Sequence, residues 1–285
     1  METDGPGQVA ERVRAALTAL PPGERRVARV LLDQGIGIVH ASVSEIAEAA
    51  GVGVGTVVRT CQSLGFKGYQ AAKIALGQDL VRSPTAWQED VSPGDPPATV
   101  LAKLVESGAE AMRAAAAGVE AAALDEAVRL VLAADRVLFL GVGTSAPLAA
   151  DAAYRFLTIG VAAEAPPDVH VQHVRASLLR VGDVAVAVSH TGATRETVAA
   201  AQAAAGAGAD VVAVTSFRSS PLVSTSRVAL VTGGREISYR VEAMASRIAH
   251  MAVLDTLFVT VVLNDPDRAG DAQRSTADVL AEHRF

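Results

Sequence analysis

Up to Arg82 the apolar positions of this chain recur at helical spacing, and from Arg136 onward they bunch into short continuous runs. Val9, Val13, Ala16, Leu17 and Leu20 make one helical stripe, which Pro21-Pro22-Gly23 ends; Val27, Val30 and Leu31 repeat the pattern between Glu24 and Asp33. A further helix opens with a capping box, in which Ser42 accepts from the Glu45 backbone N–H while Glu45 reaches back, and Ile46, Ala47 and Ala50 face inward. Gly51 breaks that helix, and a new one runs from about Val54 to Leu64. Small Ala47, a glycine turn and Val57 on the second helix are what two closely crossing helices need, so the segment reads as a helix-turn-helix.

Downstream, Thr99 to Leu132 is Ala-rich and helical. Apolar strands are expected at Arg136 to Leu140, Val184 to Val188, Val211 to Thr215 and Val228 to Val231, with a fifth at Val161 to Ala163. Their near-continuous apolar character suits a parallel sheet covered on both faces. Helices fit between them at Pro147 to Leu157, Val171 to Leu179 and Arg195 to Ala205. The expected fold is an all-α helix-turn-helix bundle followed by an α/β doubly wound parallel-sheet sandwich with flavodoxin-like strand order.

The two patterns meet in a proline-rich stretch holding Pro84, Pro93, Pro96 and Pro97, which block a continuous helix and favour a tether. The domains expected are therefore 1–82 and 100–285, joined by a linker over 83–99. A chain of 285 residues, 50% hydrophobic and 20% charged, is long enough for two buried cores. A net charge of −6 argues at first against a nucleic-acid partner, but it is unevenly spread. There are 9 Lys/Arg against 8 Asp/Glu through Arg82, and 16 against 23 beyond it, which leaves the first domain able to approach DNA. Cys61 is the sole cysteine, so no intramolecular disulfide and no multi-cysteine metal site can form. It is read as a small core residue. The most apolar long stretch, Val241 to Leu263, carries Glu242, Arg247, His250 and Asp255, which reads as a buried or interfacial helix rather than a membrane span. Glu2 and Asp4 with no apolar run after Met1 give no secretory signal, and a cytoplasmic location is expected.

Two polar loops carry the candidate chemistry. Gly141-Val-Gly-Thr-Ser145 lies between a strand and a helix, so Gly141 and Gly143 let the backbone approach a ligand while Thr144 and Ser145 supply hydroxyls. Ser189-His-Thr-Gly-Ala-Thr194 places Ser189, Thr191 and Thr194 around Gly192 at another helix N-terminus, with His190 among them. Hydroxyls around backbone N–H groups at a positive dipole end make a phosphate-sized nest. Neither loop carries the Lys of a Walker motif, and the first lacks the third glycine of a dinucleotide fingerprint, so a phosphate monoester fits better than a nucleotide. Helix capping is the structural alternative for these hydroxyls, for Thr194 above all. Glu242 and His250 invite an acid/base reading, against which stands the ordinary fate of charges on an amphipathic helix, solvation or a salt bridge. Met244, Ile248, Met251, Leu254 and Leu257 would form that helix's apolar face. No catalytic residue, metal or cofactor is assigned.

The residues also carry a family resemblance. Leu20-Pro-Pro-Gly-Glu-Arg-Arg, Ser42-Val-Ser-Glu-Ile-Ala-Glu-Ala-Ala-Gly-Val, Thr56-Val-Val-Arg59 and Leu64-Gly-Phe-Lys-Gly-Tyr69 closely resemble the DNA-binding domain of the RpiR family of bacterial transcription regulators. Asp183 to Glu196, Gly208 to Ser216 and Ser220-Pro-Leu222 resemble the sugar isomerase (SIS) domain, which binds phosphosugars, and Ala-Met-Ala-Ser-Arg-Ile-Ala249 resembles the helix that follows it in those regulators. The resemblance implies Ser145, Ser189, Thr191 and Thr194 on the phosphate with His190 at the rim. It also implies a double-stranded DNA operator, a phosphorylated sugar effector and a homodimer or homotetramer. Two departures from the family pattern bear on DNA reading: Gly53 stands where Ser usually caps the recognition helix, and Thr60 where an aromatic is usual. Gly costs only a few tenths of a kcal/mol as an N-cap. Gly53-Val54-Gly55 nevertheless leaves the groove-facing start nearly bare, so base reading is expected from Thr56 and Arg59, with Lys67, Tyr69 and Lys73 on phosphates. The rival function is a phosphosugar isomerase or lyase with a helical appendage.

Overall fold

In a computed structural model the chain is described over residues 8–17, 19–33, 38, 41–82, 91, 94–218, 220–233 and 244–281. Most of the expected linker, with Trp87, and the segment holding Tyr239 and Glu242 lie outside the described residues. The chain divides into two compact units, one of Met1–Ser107 with Arg235–Met244 and one of Gly108–Gly234 with Ala245–Phe285.

The first unit contains α1 (Gln8–Ala16), α2 (Pro22–Asp33), α3 (Val43–Ala49), α4 (Val54–Ser63) and α5 (Tyr69–Arg82), and α6 (Pro97–Gly118) begins in it. The capping box forms as expected, with Glu45 N–H donating to Ser42 Oγ at 3.2 Å and Ser42 N–H to Glu45 Oε2 at 2.7 Å. Gly51, at φ +61°, turns the chain after α3, where an L side chain would be strained. Arg26 on α2 donates through Nε to the Ala50 carbonyl at 2.9 Å and through Nη2 to that of Gly51 at 3.4 Å, satisfying acceptors that the end of α3 leaves open. One core gathers Val13, Val27, Leu31, Ile46, Val57 and Leu76 from all five helices. Each such side chain contributes about 1.5–3 kcal/mol on burial.

The second unit is built on α7 (Ala121–Ala133), β1 (Val137–Leu140), α8 (Ala146–Thr158), β2 (Ala163–Glu164), α9 (Val169–Ser177), β3 (Val184–Val188), α10 (Arg195–Gly206), β4 (Asp210–Thr215), α11 (Pro221–Thr225), β5 (Val228–Val231), α12 (Met244–Asn264) and α13 (Pro266–Ala281). All strands run parallel in the order β2-β1-β3-β4-β5, the doubly wound order expected. Strand period 2 sends Val137, Phe139, Val184, Val186, Val212 and Val214 into one core with α7, α8 and α12. Leu138, Leu140, Ala185, Ala187 and Ala213 face the other way, against Ala200, Ala201 and Ala204 of α10. Alanine on both sides of that contact lets helix and sheet approach closely.

Three elements differ from the sequence reading. The fifth strand is only Ala163–Glu164 at the sheet edge, and Val161 is buried in the turn before it. α9 begins at Val169 because Asp168 caps it, its Oδ1 accepting from His170 N at 2.9 Å and Val171 N at 3.0 Å. On α12 the buried stripe is Ala245, Ala249, Val253, Leu254, Leu257 and Val261, whereas Ile248 and Met251 are each 39% exposed. The small residues turn inward, and Ile248 packs over Gly108 of α6, where a Cβ would lie 3.0 Å from its Cδ1. By length and composition α12 could cross a membrane, but in the structure this stripe joins the core of the second unit.

Candidate functional site

In the order β2-β1-β3 the chain goes from β1 to β2 on one side and then crosses back to β3 on the other, so strand order reverses between β1 and β3. Open α/β sheets bind ligands beyond the carboxyl ends of their strands at such a point. Both polar loops lie there, one following each strand. After β1, a single 3-10 turn over Gly143–Ser145 leads into α8, with Gly143 at φ +57° and Ser145 buried. Gly141 is held by a residue the sequence reading passed over. Gln172 on α9, 3% exposed, donates through Nε2 to the carbonyls of Gly141 at 3.0 Å and Pro166 at 2.9 Å, and its Oε1 accepts from Gly141 N–H at 3.3 Å. A signal was present: Gln172 shares a helical stripe with Ala176, and a polar residue on an apolar stripe needs partners.

After β3, Ser189 is 2% exposed, and its Oγ lies 3.0 Å from Thr194 Oγ1. Thr191 Oγ1 accepts from Ala193 N–H at 3.2 Å, and Gly192, at φ +61°, accepts at its carbonyl from Leu222 N–H at 2.9 Å. Thr194 occupies the N-cap position of α10, yet its side chain makes no capping bond. The capping alternative therefore does not hold its hydroxyl, which pairs with Ser189 instead. Three hydroxyls and a left-handed glycine thus ring the N-terminus of a 12-residue helix, whose dipole favours an anion. Two cavities, of about 250 Å³ beside Arg136 and Glu164 and about 580 Å³ beside Tyr154 and Gln273, lie away from these loops and carry none of their residues.

Beneath the second loop is a buried polar cluster. Ser216, just past β4, places Oγ 3.0 Å from His190 Nδ1, 3.1 Å from His250 Nε2 and 3.2 Å from Thr232 Oγ1. His190 meets Phe217 edge to face at 5.4 Å. His250, expected in solvent or a salt bridge, is instead 1% exposed on α12. Burial, with a smaller contribution from nearby His190, pushes its pKa down to about 3, so the ring is neutral.

In the first unit, Arg59 is exposed on α4 and donates through Nη2 to Thr56 Oγ1 at 3.1 Å, which brings the two expected base-reading residues together. Thr60 is buried and donates to the Thr56 carbonyl at 2.8 Å. Lys67 is exposed. Tyr69 and Lys73, expected on DNA phosphates, each make a hydrogen bond within the first unit. Tyr69 Oη, buried, donates to the Ala41 carbonyl at 2.7 Å, and Lys73 Nζ donates to the same oxygen at 3.0 Å. The pair ties α5 to the residue before the cap of α3, and burial raises the Tyr69 pKa. Cys61 is fully buried and its thiol is pushed up to about 11, as fits a core residue.

Two family models match this chain. Residues 7–83 match the family model described as "Helix-turn-helix domain, rpiR family", and residues 130–260 match the SIS domain. An uncharacterized HTH-type transcriptional regulator of Caldanaerobacter subterraneus subsp. tengcongensis is 30% identical over 96% of this chain and 97% of its own length. The chain belongs to the RpiR family of transcription regulators. This RpiR regulator also resembles the Vibrio vulnificus NanR protein, solved in complex with ManNAc-6P, at 27% identity and a TM-score of 0.67 over 96% of this chain and 98% of that one. A protein named "Bifunctional protein glk" in Paraburkholderia xenovorans is 34% identical over 94% of this chain, which spans only 42% of that protein.

Proposed function

We propose that this RpiR regulator is a cytoplasmic DNA-binding switch whose operator affinity is set by a sugar phosphate held between the two polar loops of its SIS domain. One observation carries the reading: both loops stand at the carboxyl ends of β1 and β3, on either side of the point where strand order reverses. Ser145, Ser189, Thr191 and Thr194, with the backbone of Gly143, Thr144 and Gly192, meet the phosphate, and His190 stands where the sugar emerges. The NanR complex with ManNAc-6P supports a ligand of this class. At the operator, Arg59 and Thr56 read base edges while Lys67 and the N-terminus of α4 hold phosphates.

Binding rather than turnover is favoured because His250, one of the two candidate acid/base residues with Glu242, is buried, neutral and bonded to Ser216. Ligand occupancy shifts the population between arrangements of a dimer or tetramer that differ in DNA affinity, and a coupling of about 1–3 kcal/mol is enough. The test is capture of fragmented genomic DNA by the purified protein, then titration of the best fragment with a panel of sugar phosphates at fixed salt. One phosphosugar should change the DNA dissociation constant about 5- to 150-fold. An unchanged constant under every saturating phosphosugar sinks the switch, and turnover of any of them shifts the reading to an isomerase or lyase.

A further inference from the structure

We infer that Ser216 and His250 are positioning residues that fix the His190 ring beside the phosphate-holding hydroxyls and thereby set which sugar the site accepts. This rests on the ligand reading of the two loops. His190 sits between Ser189 and Thr191 in the loop that holds the phosphate in the proposed reading, and its ring is half-buried there. Its backbone is tied down, the carbonyl accepting from Ser216 N–H at 3.0 Å and from Thr215 Oγ1 at 3.1 Å. The ring is then tied by Ser216 Oγ on Nδ1 and by Phe217 on its face or edge.

Behind Ser216 stands His250. The buried stripe of α12 is otherwise almost wholly apolar, and a leucine there would fill space without the expense of desolvating an imidazole. The imidazole is explained by the bond it makes. A hydroxyl has one proton and two lone pairs, and Ser216 Oγ has three partners: His190, His250 and Thr232. At most one of the two rings can accept from it, so at least one must present an N–H. The tautomers of His190 and His250 are therefore linked through one oxygen, and the buried, neutral ring constrains the one beside the ligand. Hydroxyls and backbone amides greet any phosphate monoester alike. A ring of fixed orientation, with its tautomer coupled to that of His250, discriminates among sugars, since a sugar that leaves it unmatched binds worse.

The experiment measures, by calorimetry, the affinities of hexose 6-phosphates, N-acetylhexosamine 6-phosphates, pentose 5-phosphates and inorganic phosphate for the full chain and its variants. The variants are Ser216→Ala, His250→Phe, His250→Gln and His190→Ala. The ratio of the best sugar phosphate's affinity to that of inorganic phosphate should fall about tenfold in Ser216→Ala and His250→Phe, the worth of roughly one hydrogen bond. His250→Gln, which keeps an amide near the Nε2 position, should restore most of it. Ser216→Ala should add nothing to the loss already caused by His190→Ala. Retention of the wild-type ratio and sugar ranking in both Ser216→Ala and His250→Phe overturns the inference, as does an equal loss toward all ligands, inorganic phosphate included. A wild-type chain that prefers no sugar phosphate over inorganic phosphate instead removes the ligand reading, and this inference with it.

Discussion

Replacing Gly192 with alanine adds one methyl group at the tightest point of the second loop. The backbone there is left-handed, φ +61°, and an ideal Cβ would overlap Ser220 Oγ while lying 2.6 Å from Ser220 Cβ and 3.0 Å from Thr215 Oγ1. The left-handed conformation costs alanine about 1–2 kcal/mol, and forcing a methyl into filled space costs about 1–3 more. Gly143 in the first loop separates the two effects: its φ is +57°, but nothing lies within 4 Å of its Cβ position. Gly143→Ala should therefore lose only the first amount, and Gly192→Ala both. Urea unfolding followed by circular dichroism, with phosphosugar titration of each variant, measures the difference. The double variant Gly192→Ala/Ser220→Gly should recover about 1 kcal/mol or more, because Ser220 caps only the short α11 through a 3.4 Å bond and glycine is a tolerable N-cap. Equal stabilities for the two single variants, with no coupling to Ser220, would refute the packing argument.

Further outcomes follow from the same geometry. Gln172→Leu strands the Gly141 N–H and the carbonyls of Gly141 and Pro166, and should destabilise the second unit by about 2 kcal/mol or more while weakening phosphosugar binding, both read in one thermal-shift titration. His250, about 3 in the folded chain against about 6.5 unfolded, contributes stability that is whole above pH 6.5 and is lost as pH falls toward 3. Between pH 7.5 and 5.5 wild type should lose about 1.4 kcal/mol that His250→Gln does not, by urea unfolding at each pH. Arg59→Ala should cost about 1–3 kcal/mol on the chosen operator and erase its preference over random DNA, whereas Lys67→Ala should weaken all sequences alike and lower the salt slope by roughly one, both by fluorescence anisotropy. Tyr69→Phe should destabilise the first unit by about 1 kcal/mol yet leave the salt slope of DNA binding unchanged, since its hydroxyl is spent on Ala41.

Much of the architecture was legible in the sequence. Ser42 and Glu45 marked the start of α3, Gly51 its end, and the runs Val184–Val188 and Val228–Val231 coincide with β3 and β5. These are local properties: a capping box spans four residues, a strand shows its period within five, and glycine and proline punctuate where they stand. The two hydroxyl loops were legible for the same reason, as polar breaks between apolar strands and helices. The face that α12 buries was not, because alanines and large apolar residues occupy nearly every side of it and no single stripe stands out. Nor were the partners of Tyr69, Gln172 and His250, which lie 28, 31 and 34 residues away at Ala41, Gly141 and Ser216. By itself, then, the sequence determined which segments become helix, strand and polar loop, since those follow from period and punctuation along the chain. Only the tertiary structure decided which buried donor meets which acceptor, because a hydrogen bond depends on a few tenths of an ångström between atoms that packing, not chain order, brings together.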